Sequence, residues 1–297
     1  MLVNGDVVSH GPQANAFHNR AFLFADGCFE SMRWTEGRVP FLSLHVARLH
    51  AAMASFGMDI PESLHEPQLE AALEQWSKQW SWSGDVRLRL TVYRSGSGAY
   101  APPGDEVDWV ATGSALNEVG FQLPDKGLAV DIYQDVVKHP SPWSKFKVLA
   151  STLYVQAARH ASQHGWGDAL ILNANQHIIE SSRSNLFVVS NGVLYTPGIE
   201  AGCVGGIMRS VAIQTAMNHG MKVYECALTP QTLLQADELF LTNAVRGIEW
   251  VASYKTKRYF HATSEKLAGW IREDWAAELT TSELEDPASH TAGPPAG

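Results

Sequence analysis

Between Asp168 and Pro197 the chain reads DALILN, HIIESS, SNLFVVS and VLYTP in close succession. That run constrains the fold more than any other stretch. Each segment is short, apolar and broken by polar residues or by the Asn191-Gly192 pair, the pattern of neighbouring strands. Further strands are predicted for VRLRLTVY (86–93), VDWVATGSAL, LAVDIYQ, KVYECAL and DELFLTN, and LVNGDVV reads as a hairpin about Asn4-Gly5. Helical spacing appears over 41–57, which ends at Gly57, and over 66–80, where Leu69, Leu73 and Trp76 form one stripe. Three more helices are predicted over 149–164, 206–219 and 264–278. Interleaved strands and helices make this an α/β protein.

A chain of 297 residues has room for two moderate domains. GFQLPDKG (120–127), with Pro and two Gly between strand patterns, is the predicted connection. It separates a small N-terminal α/β domain (1–119) from a larger C-terminal domain (128–279). Residues 280–297 have almost no apolar side chains and read as a disordered tail.

Thirty-one acidic against 22 basic residues give a net charge of −9, which argues against nucleic acid or an anionic membrane as partner. No apolar run reaches membrane-spanning length, and MLVNGDVVSHG lacks the marks of a secretory signal, so the chain reads as cytoplasmic. Cys28, Cys203 and Cys226 are widely spaced and suggest neither a disulfide framework nor a zinc site. The twelve histidines show no metal-ligand pattern, so no metal is expected. Phosphate-loop, H-E-x-x-H and G-x-S-x-G motifs are all missing.

One stretch stands out chemically. SPWSKFKVL (141–149) sets two lysines, Lys145 and Lys147, beside apolar residues. Burial or a nearby cation lowers an amine's pKa and leaves it free to attack a carbonyl, such as the aldehyde of pyridoxal phosphate. That cofactor acts as an electron sink when a carboxylate keeps its ring nitrogen protonated. Glu180, closing the strand HIIE ahead of SSRSN, is a candidate carboxylate, although from these residues alone a polar turn capped by an acid is the more ordinary reading. For a phosphate, AGCVGGIMRS offers a glycine-rich turn into a helix N-terminus, Thr242 a hydroxyl and Arg48 a guanidinium.

These pieces, in this order, resemble the class-IV aminotransferases, the fold-type-IV pyridoxal phosphate enzymes. The matching stretches are LFADGCFESMR (23–33), HVARL (45–49), FKVLASTLYVQAA (146–158), GDALILN (167–173), IESSRSNLFVV (179–189), GGIMR (205–209) and ELFLTNAVRGIEWV (238–251). The resemblance implies a two-domain fold: a small α/β sandwich domain and a larger pseudo-barrel α/β domain. It places Lys147, 33 residues before Glu180, as the residue that bonds covalently to pyridoxal 5'-phosphate and shuttles protons. Glu180 would pair with the ring nitrogen. Arg48, the amides of Ile207 and Met208, and Thr242 would hold the phosphate, and Ser184 and Asn185 would line the cofactor. Ser181 and Arg183 depart from the family's small residues in that turn. A homodimer and a small amino- and carboxylate-bearing substrate are implied as well.

Within the family, Met208, Asn243 after the phosphate threonine, and YRSGSGAY (93–100) are similar to aminodeoxychorismate lyases, with Arg94 set to meet a substrate carboxylate. Glu30, in FES, is similar to branched-chain transaminases and is the second substrate-binding candidate. The lyase reading is preferred. The alternatives are a branched-chain or D-amino acid transaminase and, in another class, a cofactor-binding protein without catalysis.

Overall fold

The computed structural model describes residues 2–4, 6–7, 18–117 and 120–285. Strands β1 (Leu2–Val3) and β2 (Asp6–Val7) pair antiparallel, as the Asn-Gly signal predicts. A short helix α1 (Arg20–Phe24) leads into β3 (Gly27–Trp34), then α2 (Leu42–Phe56), α3 (Glu66–Gln79), β4 (Val86–Arg94) and β5 (Val107–Ala115). The three strands form an antiparallel sheet in the order β3-β4-β5. Period-2 alternation along VRLRLTVYR turns Val86, Leu88, Leu90 and Val92 into the core with Leu49 and Met53 of α2. Arg87 and Arg89 consequently lie on the opposite face. Gly57, in the left-handed region at φ 65°, stops α2 as the sequence suggests.

The second half comprises β6 (Leu128–Lys138), α4 (Thr152–Gln163), β7 (Asp168–Asn173), β8 (Ile178–Ser181), β9 (Asn185–Ser190) and β10 (Val193–Thr196). It continues through α5 (Ile207–Asn218), β11 (Val223–Glu225), α6 (Pro230–Gln235), β12 (Glu238–Asn243), β13 (Gly247–Tyr254), β14 (Lys257–Arg258) and α7 (Ala262–Glu285). Its sheet runs β11-β10-β9-β12-β13-β6-β7-β8, with β14 on β13. β8 lies at one end of that path and β9 near the other. Only Ser182 to Ser184 separate them in sequence, so the sheet curls until its ends meet: a pseudo-barrel. Both faces are buried. Leu186 and Val188 point inward with Leu170, Leu239 and Val251, while Phe187 and Val189 pack outward on Met208, Ala212 and Leu267. Two-sided burial explains why these strands read as unbroken apolar runs.

Two elements differ from their sequence patterns. The helix predicted from residue 149 begins only at Thr152, because β3 captures the residues before it. Lys147 O accepts from Phe29 N at 2.8 Å, Leu149 N donates to Gly27 O at 3.0 Å, and Val148 bridges Cys28. The last helix runs on to Glu285 through TTSELE, a sequence that contains good helix formers. The rest of the predicted tail lies outside the described residues. Among the described residues no helix is long and apolar enough to cross a membrane, and no cluster of His, Cys, Asp and Glu has the makings of a metal site.

Candidate active site

Where the two sheets meet there is a cavity of about 430 Å³. Lys147 reaches it from the extended segment held against β3, and its amine lies 4.9 Å from the Phe29 ring centre. Burial pushes this amine down to about 8. Neighbouring Arg48 pushes the same way, and Glu30 and Glu180 oppose it. The lowering leaves more of this amine neutral near pH 7 than an ordinary lysine has, which makes it a better nucleophile and base. Lys145, two residues earlier, is exposed.

Glu180 closes β8 and faces the same cavity, 3% exposed. Its Oε1 accepts from Lys138 Nζ at 2.7 Å and from Tyr154 OH at 2.9 Å, and Oε2 accepts from Val204 N at 2.8 Å. A carboxylate has about four acceptor positions, so roughly one remains for a further N–H. Tyr154 OH also accepts from Lys138 Nζ at 2.7 Å, and burial first, then Glu180, raises its pKa.

The anion-binding parts converge on α5. Gly206 caps that helix without a side chain, which leaves the first-turn amides of Ile207 and Met208 for a ligand. A Cβ on Gly206 would fall 2.0 Å from Asn185 Oδ1, so any larger residue there would have to displace that side chain. Thr242, facing Asn185 across β9 and β12, is 1% exposed, and its hydroxyl has no partner among the described residues. A buried orphan hydroxyl beside uncapped helix amides is what a bound phosphate would satisfy. Arg48 donates to Gly205 O at 2.8 Å and to both oxygens of Glu30, leaving about two of its five N–H donors free toward the cavity. Ser184 accepts from Asn243 Nδ2 at 2.9 Å, and Asn185 donates to Val204 O at 2.7 Å.

The structure therefore brings together Lys147, Glu180, Arg48, Ser184, Asn185, Ile207 and Thr242 around one cavity. Met208 contributes its amide at the helix start, while its side chain is buried in the core. Two candidates fall elsewhere. Arg94 does not line the cavity. It is buried and held by Asp105, by Asp26 at 3.3 Å and by Phe56 O at 2.6 Å, a strut for its own loop. Glu30 is likewise buried away from the cavity. It grips Arg48 and accepts from His45 Nδ1 at 2.7 Å. Burial alone would raise its pKa, but Arg48 and His45 together hold it down at about 2.

Sequence reasoning missed several groups at or beside the cavity: Lys138, Tyr154, and the pair Arg87 and Arg89. The alternation of VRLRL was the available signal for that pair. It puts both guanidiniums on one face, Arg89 stacked 3.6 Å over Phe29. Among the described residues neither has a carboxylate partner, and burial together with its neighbour Arg87 lowers the pKa of Arg89.

A buried lysine of lowered pKa, a buried carboxylate and an anion cradle on one cavity fit an enzyme that works through pyridoxal 5'-phosphate. Comparison with known proteins narrows the class: residues 27–254 match the family described as amino-transferase class IV, and the chain belongs to it. Members of that family use pyridoxal 5'-phosphate. Aminodeoxychorismate lyase of Vibrio harveyi is 24% identical over 83% of this chain and 88% of its own length. D-alanine aminotransferase of Listeria monocytogenes is 28% identical over 82% of this chain and 83% of its own. The fold matches branched-chain aminotransferase of Thermoproteus uzoniensis, solved with norvaline, with a TM-score of 0.81 at 23% identity, covering 93% of this chain and 94% of that one.

Proposed function

We propose that this enzyme is a 4-amino-4-deoxychorismate lyase, releasing pyruvate and 4-aminobenzoate on the way to folate. The observation that carries the reading is Arg87 with Arg89. Two like charges two residues apart on a cavity wall, without carboxylate partners among the described residues, fit an anionic substrate and suit an aliphatic side chain poorly. Aminodeoxychorismate carries two carboxylates.

On this reading Lys147 holds the cofactor covalently, and Glu180 offers its remaining lone pair to the ring nitrogen. Thr242, the amides of Ile207 and Met208, and Arg48 hold the phosphate, with Ser184 and Asn185 beside it. Glu30 anchors Arg48 and does not meet the substrate. The cofactor, when bound, supplies an electron sink conjugated to the amine-bearing carbon. Lys147 would remove the proton from that carbon, the C–O bond on the neighbouring ring carbon would break as the ring becomes aromatic, and the departing enolpyruvate would take up a proton to become pyruvate. The enzyme is further proposed to be a cytoplasmic homodimer, with the division between its domains at 120–127.

A second reading, a branched-chain or D-amino acid transaminase, is favoured by one finding: Arg94, in the loop most similar to the lyases, lies away from the cavity. Product analysis separates the two. Incubation with aminodeoxychorismate should yield equal pyruvate and 4-aminobenzoate. If neither forms while an amino acid passes its amino group to 2-oxoglutarate, the lyase reading is wrong.

A further inference from the structure

Behind Glu180, on the side away from the cavity, lies a lysine that the sequence gives no reason to single out. Lys138 ends β6, just past the shift in register between Tyr133 and Lys138 where that strand parts from β7. Its side chain is 12% exposed and does not line the cavity. Its Nζ donates to Glu180 Oε1 at 2.7 Å, Tyr154 OH at 2.7 Å and Ser144 O at 3.2 Å, which uses all three N–H bonds of an ammonium. The carboxylate that faces the cavity is thus compensated from behind by a fixed cation.

We infer that Lys138 is a positioning residue that shares the charge of Glu180 and so limits how strongly this carboxylate holds a protonated ring nitrogen on its cavity side. The inference rests on the cofactor reading given above. Its physical basis is competition. Two cations on opposite sides of one carboxylate repel each other, and each weakens the other's hold. A carboxylate at 3% exposure with only neutral donors would be an uncompensated buried charge, and a cofactor nitrogen would then be its sole counter-ion. With Lys138 in place the site is electrostatically complete before any cofactor arrives. Tyr154, hydrogen-bonded to both partners, fixes the geometry of the pair, while Oε2 takes one donor, Val204 N.

The test compares two ligands on cofactor-stripped full-length protein. One is pyridoxal 5'-phosphate; the other is its analogue with C–H in place of the ring nitrogen. Affinities are read from quenching of tryptophan fluorescence, so no turnover is needed. In the native protein the preference for the nitrogen-bearing ligand should be small. In Lys138→Met it should grow on the order of tenfold, because only a ring N–H can then compensate Glu180. Lys138→Arg, which restores the cation, should stay within about twofold of native. Lys138→Gln is the neutral variant to use if the methionine protein does not fold, and the same rise is expected of it. The thermal stabilisation given by pyridoxal 5'-phosphate should also be larger in the neutral variants than in the native protein. A preference unchanged in the neutral variants would overturn the role of Lys138 and leave the cofactor site standing. Native protein that binds neither ligand would overturn the reading of the site itself.

Discussion

Lys147 has an amine pushed down to about 8 from 10.5, mainly by burial. A lysine with a lowered pKa makes the folded protein less stable where the amine is charged. Between pH 10.5 and 8 the unfolded chain binds more protons than the native one, so stability falls as pH drops through that window and the deficit persists below it. Replacing Lys147 with Met should therefore raise the Tm of cofactor-free protein at pH 7 by on the order of 3 °C, and the gain should vanish by about pH 10.5. The same variant should fix no pyridoxal 5'-phosphate under borohydride, whereas native protein fixes one per chain. Glu30 works in the opposite sense. Its carboxyl is held at about 2 against 4.5, so its stabilisation is complete above pH 4.5 and lost as pH falls toward 2. Glu30→Gln should cost on the order of 3 kcal/mol at pH 6, with the gap to native closing toward pH 2 in urea titrations. Lys147 and Glu180 were legible in the sequence because few residue types do their chemistry and their order was informative. Lys138 and Tyr154 were not. They meet Glu180 from 42 and 26 positions away, and only the curled sheet brings them to it.

Among the elements, the N-terminus of α5 is open to disturbance by a single methyl group. A Cβ at position 206 would overlap Asn185 Oδ1 and push Asn185 off Val204 O. Gly206→Ala should leave the far-ultraviolet dichroism intact and weaken pyridoxal 5'-phosphate binding about tenfold, because the helix amides would no longer meet the ligand squarely. Unchanged affinity would show that the cradle has room to shift. Long periodic elements such as α2 and the strand runs after Asp168 could be read from spacing alone. KVLASTLYVQAA also has helical spacing, yet its first residues are extended because the edge of β3 offers Lys147 and Leu149 backbone hydrogen bonds. Local pattern cannot register a competitor more than a hundred residues away in the chain. That capture is what places the amine at the cavity and keeps it out of a helix.

At the scale of the molecule, the cavity exists only while two sheets from distant parts of the chain stay in register. Among the links that hold them are the Lys147 segment on β3, Arg48 on Gly205 O, and Arg33 of β3 on Val245 O at 2.7 Å. Arg33 is the most heavily used. Its Nε donates to Asp85 at 2.5 Å, and Asp85 also accepts from Thr35 Oγ1 at 2.9 Å and Gly120 N at 2.9 Å. One buried ion pair thereby ties the small sheet, the predicted connection and the turn after β12 into a single node. Val245 lines the cavity, so loosening that node should be felt at the part of the wall its turn forms. Arg33→Met leaves Asp85 without its cation, which costs about 3–5 kcal/mol for a buried pair and should lower Tm by on the order of 8 °C. With its turn unanchored, the enzyme should still bind pyridoxal 5'-phosphate within about threefold of native, while KM for its substrate rises several-fold and kcat changes less. Equal losses in cofactor affinity and KM would mean that the sheets separate as a whole, and that the node holds the entire cavity instead of one wall of it.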